Sequence, residues 1–552
     1  KTTASTKTVS GAFSTPLQKH FHMETHSARC VPGEGSRLLL TASTQDPTLT
    51  QTVTASLLGL RAADVVVSCR RAGGGFGGKL TLHLPAATSV ALVAAKLGVP
   101  ARYHADRRDD MAMTGGREAT ECDYEVSFDA VTGALASYAA TFAVEGGHAT
   151  QDAVGDLSMA VQWSDNCYDS GRHDAKGKVL KTRAPRSSSM RSPGVIQSQC
   201  CRELAIVRVA HETRRPVHEV QELNFYKVGQ KFPYGSKPLG SPTFNYTIPE
   251  LYAALKPKLL ARLDAVDQFN EANAWRKRGV HVMPTKYIMA MDFWKVPALV
   301  HVYGDGSVQV AHGGCELGQG IHTKVAAVAA YALGCDLALV TVADTSTDKT
   351  PNSVATGGSG TSESCCGATL KACATLKKRL APYVAKHGTW ADAVAAALAD
   401  AVELSATGWN DLRTSETGDD PDYATYGLAL AEVEVDCLSG EVEVREVDVR
   451  MDQGSSLNSD VDVGQVEGAI IMALGFYLTE HCAVDASGKQ SGDGTWEYKP
   501  PMVADVPLEL RVSMLARTPN PSAVAVLGSK ASGEPPMQLA ASVFFALRAA
   551  VA

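Results

Sequence analysis

The sequence predicts an α+β protein built from two mixed α/β lobes. Three observations carry that prediction. Strand-like and helix-like segments alternate from residue 1 to about 225. A stretch rich in Gly, Pro and Ser, VGQKFPYGSKPLGSPTFNYTIPE at 228–250, then breaks the pattern. The mixture resumes from 251 to 552. The division is placed at 1–226 and 227–552. At 552 residues the chain exceeds one ordinary core, and roughly two to four domains are expected for that length.

The elements follow from local pattern. Val65-Val66-Val67 reads as a buried strand. Thr88 to Leu97 reads as a helix, ended by Gly98 and Pro100. Ile206 to His211 belongs to another helix. Val300 to Tyr303 and Val308 to Val310 flank Gly304-Asp305-Gly306, and Val433 to Val435 and Val442 to Val444 flank Ser439-Gly440. Both read as hairpins. No repeat of fixed period is visible.

Composition narrows the function classes. Hydrophobic residues make up 45% and charged residues 20%, and the net charge is −7. A chain without a long basic run is a poor partner for nucleic acid, whose binding rests on phosphate neutralisation. The 13 cysteines form no C-x-x-C pair. The adjacent pairs Cys200-Cys201 and Cys365-Cys366 match neither zinc nor iron–sulfur spacing. Reduced thiols in a cytoplasmic protein are expected. The best apolar stretch, Val325 to Ala343, is interrupted by Gly334 and Asp336, so no membrane span is expected. The chain starts at Lys1 without a signal peptide, and the expectation is a trimmed chain or one piece of a longer polypeptide.

The chemistry concentrates in glycine-rich loops. AGGGFGGKL at 72–80 has the G-x-x-x-x-G-K spacing of a nucleotide-binding loop, but Leu80 stands where Mg²⁺ needs a hydroxyl. GGCELGQG at 313–320, TGGSGT at 356–361, DVGQ at 462–465 and SGEPP at 532–536 each lead into a helical run. Glycine admits close backbone approach, and helix N-termini attract anions. Five such loops point to a large polyanionic ligand held mostly by backbone. A nucleoside triphosphatase would leave the other four loops unexplained.

These loops, with HFHMETH (20–26), ASTQD (42–46), DNCY (165–168), TSTDKTPNS (345–353), VEVDCLSGEVE (433–443), MDQGSSLNSDVDVGQVEGA (451–469) and GSKASGEPPMQLAASVFFAL (528–547), resemble the molybdenum-cofactor region of the xanthine dehydrogenase and aldehyde oxidase family. The wording of GSSLN, DVGQVEGA and SKASGEPP resembles xanthine dehydrogenase more closely. The resemblance implies two related lobes with molybdopterin between them. It implies hydroxylation of an electron-poor carbon with oxygen from water, and Glu534 stands where the family has its general base. Gln45, Gly75, Phe76, Gly77 and Arg191 match residues near the molybdenum. Leu317, Gly318, Gln319, Gly357, Gly358, Ser359, Thr361 and Gln465 match pterin contacts. The metal would be held through the pterin, with no direct protein ligand.

His20, His22, Glu24 and His26 alternate, which puts them on one face if the segment is a strand, and their types suit a metal. The family shares most of this segment without a metal there.

Departures from the family gather in the substrate pocket. Purine-oxidising relatives carry a glutamate where this chain has Leu80. Their arginine before Asp-Asn-Cys-Tyr has no counterpart in Met159 to Ser164. Family aromatics fall on Pro193 and Met291, with Asp292 following. The first expectation is a purine hydroxylase converting hypoxanthine or xanthine to urate. Leu80 and the missing arginine favour aldehydes or other heterocycles, and an inactive scaffold subunit is the third possibility. The family implies iron–sulfur (2Fe–2S) and flavin (FAD) domains, upstream or on partner chains, and a homodimer.

Overall fold

A computed structural model describes residues 5–291, 295–411, 421–516 and 518–552. Its four sheets share one topology. In each, two strands form an antiparallel hairpin, and a helix then crosses to a strand that pairs parallel with the second hairpin strand. A fourth strand flanks the first hairpin strand antiparallel. A tight turn can join antiparallel strands, whereas a parallel pair needs a crossover, usually helical.

The hairpins are Ser27–Pro32 with Leu38–Ala42, Thr120–Asp129 with Leu135–Gly147, Lys295–Val302 with Val308–His312, and Tyr423–Asp436 with Val442–Asp452. The crossover helices are Pro47–Leu58, Gln151–Gln162, Ile321–Leu333 and Ser459–Leu474. They lead to the parallel strands Val65–Cys69, Arg172–Lys181, Val340–Val342 and Glu509–Met514. Beyond each parallel strand the chain makes a loop and enters a second helix: Leu84–Leu97, Val195–Thr213, Thr361–Lys386 and Ala541–Val551.

The flanking strands reveal a duplication. Ala101–His104 and Ser405–Asp411 follow the rest of their units, whereas Thr6–Thr15 and Arg276–Met289 precede theirs. In each lobe, therefore, the first strand belongs to one unit, the other unit is inserted whole, and the interrupted unit is then completed. The two lobes repeat this order, so the expectation of related lobes holds. The repeat has no fixed period because loops of different length separate equivalent strands.

The lobes share structure. Thr345–Ser346 pairs with Val65–Cys69 across the chain. One apolar cluster joins Phe128, Tyr138 and Phe142 to Tyr287 and Tyr426. Close helix–sheet packing has a local cause in the second lobe. An added Cβ on Gly408 would lie 2.0 Å from the Ala368 carbonyl, and one on Gly279 would lie 2.0 Å from that of Ala546.

The sequence expectations meet this fold with some shifts. The two hairpins and the Val65 strand form as read. The helix expected from Thr88 starts at Leu84, where Pro85 suits the first turn, and ends at Gly98 in the left-handed region. The Asp462–Gln465 stretch is not a loop. Asn458 caps the helix through the Val461 N–H, so Gln465 projects from the second turn. Residues 20–26 form no strand, so the one-face argument for His20, His22, Glu24 and His26 fails. One helical run, Ser459–Thr479, is long and apolar enough to cross a membrane, with mean hydropathy 1.4. Its Val466, Ala469, Ile470, Ala473 and Leu474 pack in the core against Val447, Val449 and Met537. All 13 cysteines are unbonded.

Candidate functional site

The repeated units explain where the candidate residues fall. Gln45 and Gln319 precede crossover helices, and Gln465 lies in the second turn of a third. Leu317 and Gly318 share the loop of Gln319, and the other cofactor and catalytic candidates lie on the four loops between a parallel strand and its second helix: Gly75–Gly77, Arg191, Gly357–Thr361 and Glu534. Ligands of α/β units commonly gather where strand C-termini meet helix N-termini.

Hydrogen bonds tie these loops into one cluster. Arg191 Nε donates to the Gly533 carbonyl at 2.6 Å, and Nη2 donates to the Gln465 carbonyl at 2.9 Å. The Arg191 N–H donates to the Phe76 carbonyl at 2.9 Å. The Glu534 N–H donates to Ser359 Oγ at 3.0 Å. Gln45 spans two loops: its Nε2 donates to the Thr356 carbonyl at 2.7 Å, and its Oε1 accepts the N–H groups of Gly77 and Lys79. Through these bonds Gln45 braces the Gly77 and Thr356 loops against each other.

Glu534 is the centre of the cluster, 8% exposed. Oε1 accepts the Ser192 N–H at 3.0 Å. Oε2 accepts the Tyr287 hydroxyl at 2.8 Å and the Ser359 hydroxyl at 3.0 Å. Three donors from three segments fix its orientation. Burial, then the charge of Glu534, pushes the Tyr287 phenol well above its usual range, so it stays a donor. Trp163 packs edge-on against Tyr287, with centroids 4.7 Å apart.

The backbone here is unusual. Phe76, Ser192 and Ser359 all have positive φ, at 55°, 65° and 60°. Such strain costs on the order of 1–3 kcal/mol per residue and clusters at functional sites. Gly77, at φ 110°, has no alternative: a Cβ there would lie 1.6 Å from the Ser189 carbonyl.

Arg191 supplies the positive charge. Burial lowers its pKa to about 10, while Glu534 opposes the shift. It makes no ion pair among the described residues; its Nε and Nη2 contacts are to neutral oxygens. By contrast, the donors of the Gly313–Gly320 loop are taken internally. Glu316 accepts the N–H groups of Gly318, Gly320 and His322, and Gln319 closes on Leu317 and Cys315. That loop joins the cluster through Cys315, whose N–H donates to Thr356 Oγ1 at 2.8 Å.

The pocket residues divide. Leu80 Cδ2 would lie 3.9 Å from a Cβ on Gly357, which puts Leu80 beside the Gly357 loop. Pro193 is buried next to Ser192. Met291 is fully buried in the same core cluster as Tyr287, and its N–H donates to Asp422. Asp292 lies outside the described residues. Beside Leu80, Arg186 donates to Thr81 Oγ1, which donates to Asp152 at 2.8 Å.

Sequence reasoning missed Ser192, Tyr287, Trp163 and Glu316. Ser192 acts through its backbone and leaves no trace in composition. Tyr287 stands in a strand buried on both faces, Arg276–Met289, where a hydroxyl needs a partner, and that was its signal.

Known proteins resemble this chain over nearly all its length. One family model described as a molybdopterin cofactor-binding domain matches residues 1–225, and a second of that description matches 253–507. Xanthine dehydrogenase/oxidase of Felis catus is 38% identical over 557 residues, covering 98% of this chain and 41% of the relative. Xanthine dehydrogenase of Drosophila pseudoobscura pseudoobscura is 38% identical over 547 residues, covering 97% and 40%. Aldehyde oxidase 4 of Arabidopsis thaliana is 35% identical over 556 residues, also covering 97% and 40%. The chain thus spans about two fifths of the length of these curated relatives. Among solved structures, aldehyde oxidoreductase from Desulfovibrio gigas superposes with a TM-score of 0.88 at 23% identity, covering 99% of this chain and 59% of that one. Quinoline 2-oxidoreductase from Pseudomonas putida 86 gives 0.85 at 23% identity, covering 99% and 73%. At that identity the likeness shows the fold.

Proposed function

Since this chain belongs to the molybdopterin cofactor-binding family, we propose that it is the catalytic region of a molybdenum hydroxylase with Glu534 as general base. The observation that carries the reading is the Glu534 carboxylate, clamped by Ser192, Tyr287 and Ser359 beside Arg191. The residues fit an anionic cofactor. Arg191 offers positive charge with no carboxylate ion-paired to it among the described residues. Gly357 leaves room where a side chain would intrude, with nothing closer to an added Cβ than 3.9 Å. Gly75–Gly77 would lie beside the metal, while Gly357–Thr361, Gln465 and the Leu317–Gln319 segment would hold the pterin. When bound, the molybdenum centre supplies two-electron oxidation of carbon with oxygen from water.

This chain's residues position the proton transfer. Oε1 of Glu534 has one protein donor, so it keeps a lone pair for the incoming proton. Oε2 is occupied by Tyr287 and Ser359, which stop the carboxylate from rotating. A base must lie within hydrogen-bond reach of its proton, and this clamp holds it there.

For the substrate, the purine reading is supported by the xanthine dehydrogenase relatives. The pocket favours a second reading, an aldehyde or a less polar heterocycle. Leu80 beside Gly357 offers no hydrogen bond, and Pro193 supplies no aromatic face. Iron–sulfur and flavin groups on further domains or partner chains would carry the electrons away, and a homodimer accompanies that reading. Elemental mass spectrometry of the native protein tests the core claim. Near one molybdenum per chain, with turnover of one class in a panel of purines, aldehydes and N-heterocycles, is the expected result. A folded protein with its partners and no molybdenum would overturn it and leave the scaffold role.

A further inference from the structure

Against the Ala72–Gly78 loop two histidines and an aspartate meet. His22, His26 and Asp110 are each at most 5% exposed. One ligand atom from each lies within 4.8 Å of the others. The two imidazole rings meet edge to face, with centroids 5.0 Å apart.

One feature is anomalous for a set held by hydrogen bonds alone. Among the described residues, buried His22 Nδ1 has no partner, and buried polar atoms are ordinarily satisfied. His26 has an acceptor at each ring nitrogen: Asp110 Oδ1 lies 2.5 Å from Nδ1, and the Gly78 carbonyl lies 3.1 Å from Nε2. An imidazolium would satisfy both as an ion pair with Asp110, whereas a neutral ring that donates Nε2–H to Gly78 turns its Nδ1 lone pair on a carboxylate oxygen.

We propose that His22 Nδ1, His26 Nδ1 and Asp110 form a site for one divalent cation of zinc's class. A cation would give His22 Nδ1 a partner and separate the His26 lone pair from the carboxylate. Two neutral imidazoles and a carboxylate are ligands that zinc takes, with a fourth position left for water. The surroundings match such a centre. His26 Nε2 donates to the Gly78 carbonyl, the outer hydrogen bond that commonly fixes a metal-bound histidine. The second oxygen of Asp110 faces Arg107 Nη1 at 4.0 Å, and Oδ1 also accepts the His26 N–H at 2.9 Å. Lys79, the other nearby cation, is paired with Glu24 at 2.9 Å. Two ligands on one zinc at bond lengths of about 2.0–2.1 Å sit roughly 3.3 Å apart, so binding requires Nδ1 and Oδ1 to part by under about 1 Å. The ion would brace the loop carrying Phe76 and Gly77, because His26 holds Gly78 and His22 Cβ lies 3.1 Å from a Cβ placed on Gly74.

The test uses the native protein with its partners, washed with chelator, reloaded with ZnCl₂ and desalted. Zinc is counted by elemental mass spectrometry separately from molybdenum, and its ligands are read by X-ray absorption. The expected result is about one zinc per chain with nitrogen and oxygen neighbours including imidazole. His22→Phe and Asp110→Asn, with unchanged circular dichroism, should each lose it. Zinc should also raise the melting temperature of the wild type and leave that of His22→Phe unmoved. Reloaded wild type holding no more zinc than His22→Phe would overturn the proposal, leaving a His26–Asp110 ion pair only. Sulfur-dominated scattering would overturn it too. If both variants misfold, the wild-type absorption spectrum decides alone.

Discussion

The phenol of Tyr287 donates to Oε2 of Glu534 at 2.8 Å, joining the strand that begins the second lobe to the loop that precedes its last helix. Removing that donor by Tyr287→Phe frees one side of the carboxylate. A hydrogen bond to a charged group is worth about 1.5–3 kcal/mol, so kcat should fall roughly ten- to hundredfold while KM moves little. Steady-state kinetics checks this, and an unchanged kcat would remove Tyr287 from the positioning of the base.

Glu534→Gln keeps the shape and hydrogen-bonding reach of the side chain and removes its basicity. Turnover should drop by about 10²–10⁴-fold, the range attributed to a positioned general base. Molybdenum content should stay at the wild-type level, which separates lost chemistry from a lost cofactor.

Gly77→Ala forces a Cβ to within 1.6 Å of the Ser189 carbonyl at a φ of 110°. The backbone term alone is of order 1–3 kcal/mol, and the clash adds to it. A lower melting temperature with less bound molybdenum is expected, both read on one preparation.

Leu80→Glu would place a carboxylate beside Gly357. If the pocket takes an apolar aldehyde, burying that group should lower kcat/KM for an aromatic aldehyde by about tenfold or more. A gain in purine turnover instead would favour the purine reading.

Glu363 is buried and its pKa is raised to about 8 by desolvation, with the Tyr423 hydroxyl opposing. The folded chain therefore holds this proton more tightly than the unfolded chain. Between the ordinary carboxylate range and about pH 8 the folded state binds more protons, so stability falls as pH rises through that window. Glu363→Gln should flatten that slope in denaturant titrations at a series of pH values.

The candidate site residues, Glu534 among them, were legible through the resemblance rather than through local pattern. Local pattern accounts for the glycine-rich loops, where a residue such as Gly77 must admit a close contact. The fourfold topology was not legible. Equivalent strands share a pairing scheme without sharing spacing, and in two units the flanking strand is separated from its hairpin by a whole inserted unit. Residues 20–26 misled because alternation suggests a strand, yet their partners lie elsewhere: His26 on Asp110 and Glu24 on Lys79. Gln45 reads by resemblance as a ligand contact, while its hydrogen bonds to Gly77, Lys79 and Thr356 became visible only in three dimensions.

The two hydrogen bonds that close the centre, Arg191 to Gly533 and Ser192 to Glu534, each join residues 342 positions apart. Contacts so distant along the chain are entropically expensive to close until intervening segments have become compact. The centre therefore depends on loops contributed by remote parts of the chain, so a substitution that loosens one of them shifts side chains hundreds of residues away.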